Sequence, residues 1–246
     1  MRVRDLWHQF DRTPVLAGIS LDVYPGQIQV IMGPSGCGKS VFLKQLVGLL
    51  RPTRGEVFVF GRPVHALPPD ELDELRMRIG VVFQSAALFD SLTVAENVAF
   101  PLRRHRRLAD AEIARRVSRL LEMVEMEGTE HLMPSALSGG MRKRVGIART
   151  LALEPPLILY DEPTSGLDPL TARTVDDLIL RLRDTLAVTA VVVTHSVDSA
   201  FRLADRLAVM DAGRFAAAGT PQEILASRDA LVRAFLETHT VGVSQP

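Results

Sequence analysis

The residues Gly33-Pro34-Ser35-Gly36-Cys37-Gly38-Lys39-Ser40 follow an apolar run, Ile28 to Met32, and precede a helical pattern. Glycines at this spacing let the backbone curl until successive N–H groups converge on an anion, and a helix N-terminus adds its positive dipole end. Lys39 can reach the outer phosphates of a nucleoside triphosphate, and the Ser40 hydroxyl is a hard oxygen ligand suited to Mg²⁺. The match to G-x-x-x-x-G-K-[ST] is complete, and the strand before and helix after supply the context the pattern needs. Cys37 lies close to the start of that helix, a place that can lower a thiol pKa, so alkylation is expected to inactivate the protein and ATP to protect it. The plainer role for Cys37 is to supply a backbone N–H.

Two carboxylates form a second group. Asp161 and Glu162 end the apolar run Leu157 to Tyr160. Asp161 is placed to orient Mg²⁺, usually through water, and Glu162 to polarise the water that attacks a γ-phosphate. Such a pair alone is as well suited to capping a turn. Together with residues 33–40 it gains meaning, because a parallel sheet brings strand ends to one edge, where ligands bind. His195 closes Ala190 to Thr194 and can reach the γ-phosphate from the same edge. Gln84 closes Gly80 to Phe83 and can reach Mg²⁺ or the attacking water.

The elements that must position these groups are legible in outline. Short apolar runs broken at Pro14, Gly18 and Pro25-Gly26 read as β-structure. Residues 41–50 read as a helix ended by Pro52, 56–60 as a strand closed by Gly61, and 70–79 as a helix with acidic residues first and basic ones last. Residues 80–84, 157–163 and 190–195 read as strands, 171–186 as a helix, and 207–220 as a hairpin. Helices are expected at 222–226 and 228–238. Strands alternating with helices predict an α/β fold with a parallel sheet covered on both faces. The helical block at about 86–155 interrupts the alternation and reads as an inserted lobe.

Composition sets the outer limits. The chain has 246 residues, with 29 Lys+Arg against 29 Asp+Glu. Zero net charge argues against a protein that holds polyanions by bulk electrostatics, so no nucleic-acid partner is expected. The single cysteine, Cys37, excludes an internal disulfide and favours a reducing compartment. No stretch approaches the ~18 apolar residues of a membrane span, and the N-terminus lacks the apolar core of a signal peptide. The chain reads as soluble and intracellular, with any membrane spans supplied by another protein.

Residues 33–40, Gln84, Leu137-Ser138-Gly139-Gly140-Met141, 157–162, Ser165 to Asp168 and His195 together resemble the ATP-binding-cassette ATPases over residues 1 to about 225. The element at 137–140 is the most specific part. The resemblance implies a P-loop NTPase core of RecA type with a parallel sheet, an N-terminal antiparallel β-subdomain and a helical subdomain inserted at about 86–155. A C-terminal helical tail, 226–246, follows. It implies ATP with Mg²⁺, cradled by Gly33 through Ser40 and Val41, with Ser40, Gln84 and Asp161 on the metal. Glu162, His195, Lys39 and Gln84 would carry catalysis. It implies two copies facing head to tail, each ATP held between one phosphate loop and the partner's Ser138, Gly139 and Gly140, with Asp168 coupling the two sites. Ser138 as N-cap of a following helix fits this, since it leaves a helix N-terminus able to receive an anion. Phe10 is the best match to an aromatic stacked on adenine, an interaction worth roughly 1–3 kcal/mol. The common pattern has glutamine where this chain has Met141, which removes an amide but leaves the backbone donors.

Residues 38–57, 83–103 and 137–169, and Met141 itself, are similar to the ATPases of Mla/MCE-type phospholipid transporters. Amino-acid importers and cell-division complexes share much of the same text. The resemblance implies lipid transport across a cell envelope, at the cytoplasmic face of the inner membrane. The expected partners are a permease whose coupling helix docks at 86–100, an MCE-domain protein and small accessory subunits. The run Arg103, Arg104, Arg106, Arg107 is either a solvated helix face or a contact with anionic headgroups. A soluble ATPase switch without a permease is the reading from another class. Such proteins usually carry a long coiled coil or two cassettes, and neither is seen here.

Overall fold

The computed structural model describes residues 1–240; positions 241–246 of the expected tail lie outside them. In chain order the elements are β1 (Arg2–Phe10), β2 (Thr13–Asp22), β3 (Ile28–Met32), α1 (Lys39–Leu46), β4 (Arg54–Val59), β5 (Arg62–Pro63), α2 (Pro69–Arg76) and β6 (Ile79–Val82). Then come α3 (Val94–His105), α4 (Asp110–Met123), α5 (Gly139–Leu151), β7 (Leu157–Asp161), α6 (Pro169–Leu186) and β8 (Thr189–Thr194). The chain continues through α7 (Val197–Leu203), β9 (Arg206–Asp211), β10 (Arg214–Gly219), α8 (Pro221–Leu225) and α9 (Ala230–Thr240).

Two sheets result. A four-stranded antiparallel sheet has the order β2-β1-β4-β5, and a six-stranded sheet the order β10-β9-β3-β8-β7-β6. In the larger sheet only β10 is antiparallel to its neighbour. Every residue of β3 is buried, as is β8 from Ala190 onward, so these strands read as unbroken apolar runs. The two-residue alternation of side chains then divides the core. Ile28, Val30 and Met32 join Ile158, Tyr160 and Val192 beneath the helices α3 to α7. Ile31, Leu157, Leu159, Val191 and Val193 face α1 and the antiparallel sheet.

Most expected elements stand where the sequence put them, including the hairpin β9–β10. The helix after the phosphate loop does not run to Pro52. It stops at Leu46, and Gly48 takes a left-handed conformation (φ 68°). The Arg76 guanidinium, from α2, donates to the Val47 and Gly48 carbonyls at 3.0 and 3.1 Å, covering groups that a longer helix would have used itself. The apolar period to Leu50 reflects burial rather than helix.

The helical lobe contains α3 and α4. Its third helix, α5, also packs against α6 and β6, so it belongs to the lobe and the core together. The tail folds back on its own chain: Val232 of α9 is fully buried in the larger core cluster.

Candidate active site

Four strand ends of the parallel sheet meet at one edge. β3 leads into residues 33–38, β6 leads to Gln84, β7 ends at Asp161, and β8 leads to His195. The cleft they form, about 410 Å³, is lined by Gly36, Gly38, Lys39, Ser40, Val41, Gln84, Glu162 and His195. The structure brings these sequence-predicted residues together and adds Val15, which was not singled out, and Ser165, which was named only as part of the motif at 165–168.

The loop 33–38 is wedged between neighbours. A Cβ on Gly33 would stand 2.1 Å from the Met210 carbonyl oxygen, and one on Gly38, which has φ 110°, would stand 2.8 Å from that of Val15. Gly213 N–H donates to the Cys37 carbonyl at 3.1 Å, tying the loop to the β9–β10 turn. The Lys39 ammonium is buried and donates to the Gly33 and Pro34 carbonyls at 2.8 and 3.0 Å. It lies 3.6 Å from Glu162 Oε1.

Ser40 Oγ donates to Asp161 Oδ1 at 3.0 Å. Burial pushes the Asp161 carboxyl above its ordinary value; the Ser40 hydrogen bond opposes this, and the neighbouring Glu162 charge adds to it. A hydroxyl and a carboxylate side by side, beside the phosphate loop, form the oxygen donor set that Mg²⁺ prefers.

Glu162 is 8% exposed and has φ 51°, a left-handed conformation unusual for a residue with a Cβ. Its N–H donates to the Val193 carbonyl at 3.0 Å. Its Oε2 accepts from the His195 backbone N–H at 3.3 Å and lies 2.8 Å from His195 Nδ1. Against an ionised carboxylate, Nδ1 carries the proton, which leaves Nε2 as the imidazole's second functional atom. Gln84 lies two residues past the end of β6, and its amide donates to Ser165 Oγ at 3.3 Å.

Ser138 is the N-cap of α5 and accepts from Met141 N–H at 3.3 Å. The residues Ser138, Gly139 and Gly140 do not line this chain's own cleft. They lie against α6 and the turn before it: a Cβ on Gly140 would stand 2.4 Å from Thr171 Cγ2, and one on Gly139 3.1 Å from Leu167 Cδ2. Asp168 caps α6, accepting from the Leu170 and Thr171 N–H groups at 3.1 Å each.

Three expectations need correction or refinement. The Cys37 thiol is not activated, because its side chain is buried among Ile31, Phe42 and Met210 and burial pushes the pKa up. Its backbone N–H faces the Pro34 carbonyl at 3.4 Å. Phe10, the expected adenine-stacking aromatic, lies at the surface. It is 48% exposed at the end of β1, edge to face with His8 at 4.7 Å, and outside the set lining the cleft. In the segment after Gln84, Ala86 packs into the molecule against Gly146, while Phe89 and Phe100 form an exposed ring pair with centroids 4.7 Å apart. Fully buried Asn97 shapes that loop, accepting from Phe89 N–H and donating to the Phe89 and Leu92 carbonyls. Arg103, Arg104, Arg106 and Arg107 are all exposed at the end of α3 and just beyond it.

Lys143 was not singled out by sequence reasoning. It is 5% exposed, and its ammonium donates to the Gln84 carbonyl and, at 3.2 Å, to the Glu162 carbonyl. The available signal was a charge at a buried-face position of α5, one turn from Gly146 and Ile147.

The family model described as ABC transporter matches residues 16–165, which span the phosphate loop through Asp161 and Glu162. This chain belongs to the ABC transporter family. It is 39% identical over 242 residues to the intermembrane phospholipid transport system ATP-binding protein MlaF of Haemophilus influenzae, covering 98% of this chain and 92% of that one. It is also 39% identical to a probable ribonucleotide transport ATP-binding protein, mkl, of Mycobacterium leprae, covering 98% and 70%. Among solved structures it resembles cbiO1 of Clostridium perfringens, part of the ABC transporter complex cbiONQ, with TM-score 0.85, 30% identity and coverage of 98% and 96%. It also resembles a dimeric ATP-binding cassette, MJ0796, bound to ADP and Pi, with TM-score 0.81, 34% identity and coverage of 89% and 98%. The chain is thus the ATP-binding, ATP-hydrolysing cassette of an ABC transporter, with an α/β P-loop NTPase fold.

Proposed function

We propose that this cassette drives phospholipid transport across a cell envelope, working as a pair of identical copies on the cytoplasmic face of a membrane-embedded permease. The convergence of Lys39, Ser40, Asp161, Glu162 and His195 at one sheet edge carries the ATPase chemistry. The similarity to MlaF over nearly the whole of both chains, with Met141 in the signature element, supports the lipid.

ATP is the substrate. The loop from Gly33 to Ser40, with Val41 behind it, receives the phosphates, and Lys39 draws off negative charge as it develops. Mg²⁺, when bound, neutralises charge on the phosphate oxygens; Ser40 and Asp161 would hold it, with Gln84 beside them. Glu162 takes the proton from the attacking water. His195 holds the Glu162 carboxylate through Nδ1 and its backbone N–H, leaving Nε2 for a phosphate oxygen. Ser138, Gly139 and Gly140, which do not line their own cleft, complete the partner copy's site, and Asp168 stands at that junction. Phe10 stacks on adenine from outside the lining set. The exposed Phe89 and Phe100 rings receive the permease's coupling helix through its apolar face. An MCE-domain protein and small accessory subunits would complete the machine.

Glu162→Gln tests the catalytic reading. It should keep ATP binding, lower turnover on the order of 10²- to 10⁴-fold, and accumulate ATP-bound dimers on size-exclusion chromatography. Turnover within a factor of ~3 of the wild type would remove Glu162 from the base role. The lipid is tested by co-purifying the chain with its membrane partner and reconstituting both in liposomes. ATP-dependent movement of a fluorescent phospholipid is expected. Transport of a ribonucleotide with no lipid movement would reject the assignment.

A further inference from the structure

Glu162 stands in a left-handed conformation, which is strained for a residue with a Cβ and persists only where the surroundings fix it. Its N–H is held by Val193 and its carboxylate by His195. Its carbonyl accepts from Ser165 N–H at 3.2 Å and from the Lys143 ammonium at 3.2 Å. The same ammonium donates to the Gln84 carbonyl. Lys143 therefore joins the two segments that carry Glu162 and Gln84, and it does so from the helix that Ser138 caps.

The rest of α5 continues the pattern. Arg149 donates to the Ala86 and Ala87 carbonyls at 2.9 and 2.7 Å, and Thr150 to the Val81 carbonyl at 3.2 Å. Ala86 and Ala87 are themselves left-handed, with φ 61° and 48°. One helix face thus fastens backbone carbonyls from Val81 through Ala87. Lys143 alone also reaches Glu162. A cation buried on a helix face beside Gly146 and Ile147 costs desolvation that a methionine there would not, so packing does not account for it.

We propose that Lys143 is a positioning residue for hydrolysis: its ammonium fixes the Glu162 main chain, and with it the carboxylate's aim, and locks Gln84 to the helix that opens with Ser138. This rests on Glu162 acting as the base. Lys143 is not itself in the cleft lining and holds Gln84 and Glu162 only by their main-chain carbonyls, so its loss should spare binding and slow the chemical step. A carboxylate misplaced by ~1 Å loses about a hundredfold in rate.

The test uses the full-length chain with Lys143→Met, Lys143→Gln and Glu162→Gln side by side. Phosphate release, binding of a fluorescent ATP analogue and size-exclusion chromatography with Mg²⁺-ATP are read for each. Lys143→Met should bind the analogue within about threefold of the wild type, lose ten- to a hundredfold in kcat, and accumulate ATP-bound dimers as Glu162→Gln does. Lys143→Gln, whose shorter amide keeps two N–H donors without the charge, should recover part of the rate. Dimer accumulation with intact affinity is a signature that simple loss of folding does not produce. Wild-type turnover in Lys143→Met while Glu162→Gln traps dimers would overturn this inference alone, as would parallel loss of binding and rate in both Lys143 variants. Wild-type turnover in Glu162→Gln would overturn the base assignment, and this inference with it.

Discussion

Asp176 lies on α6, 3% exposed, and its Oδ1 has no hydrogen-bond partner among the described residues. Burial pushes its carboxyl from 3.8 up to about 6; the Ser199 hydroxyl and Arg202 oppose the shift, and Asp177 adds to it. The folded protein thus binds this proton more tightly than the unfolded chain. The stabilisation is fully present below pH ~3.8 and lost as pH rises through ~6, a difference of about 3 kcal/mol from end to end. About 1.4 kcal/mol of it falls between pH 5 and pH 8. Asparagine is neutral throughout, so Asp176→Asn should stabilise the protein at pH 8, by about 2 kcal/mol or roughly 4–8 °C in Tm. The gain at pH 5 should be smaller by about 1.4 kcal/mol. Urea denaturation of both proteins at the two pH values, with equal m-values, gives the comparison directly. A change in stability that is the same at pH 5 and pH 8 would refute the claim that this carboxylate is buried at a cost.

Three further outcomes follow from the geometry. Gly33→Ala forces a Cβ towards the Met210 carbonyl and should cost about 1–3 kcal/mol while weakening nucleotide binding; unchanged Tm and affinity would contradict that crowding. Cys37 should react with iodoacetamide at least ~10-fold more slowly in the native protein than in urea, since burial raises its pKa and blocks access; equal rates would place the thiol outside the core. Asp168→Ala removes the acceptor for two α6 N–H groups and should cost about 1 kcal/mol in chemical denaturation, with Asp168→Asn recovering much of it. No loss in Asp168→Ala would show that water caps the helix equally well.

The residues whose chemistry depends on local motif were readable from sequence. A glycine-lysine-serine turn after a buried strand, and carboxylates at the end of another, specify both their type and their place, because a parallel sheet aligns strand ends. What escaped depends on contacts between distant segments. The register of Gln84 past the end of β6 is set by α5, which begins more than fifty residues later. Lys143 sits in the run Arg142-Lys143-Arg144, which reads as a solvated stripe until the helix is docked. The early end of α1 is imposed by Arg76, and the inward turn of Cys37 by the core under the loop. The exposure of Phe10 was not legible, because nothing in its sequence neighbourhood says which way the end of β1 will point.

The tight seating of residues 33–38 has a last consequence. Met210, Val15 and Gly213 confine the turn from the protein side, and Lys39 is tethered to the carbonyls of Gly33 and Pro34. The receptacle is finished by folding itself, so the interaction energy of the incoming phosphates goes into gripping them rather than into ordering a floppy strap. Motion that converts nucleotide chemistry into work must then originate outside that rigid anvil. The stretch from Gln84 to Ala87, and the helix whose Lys143 and Arg149 hold it, stand outside it as one bonded unit.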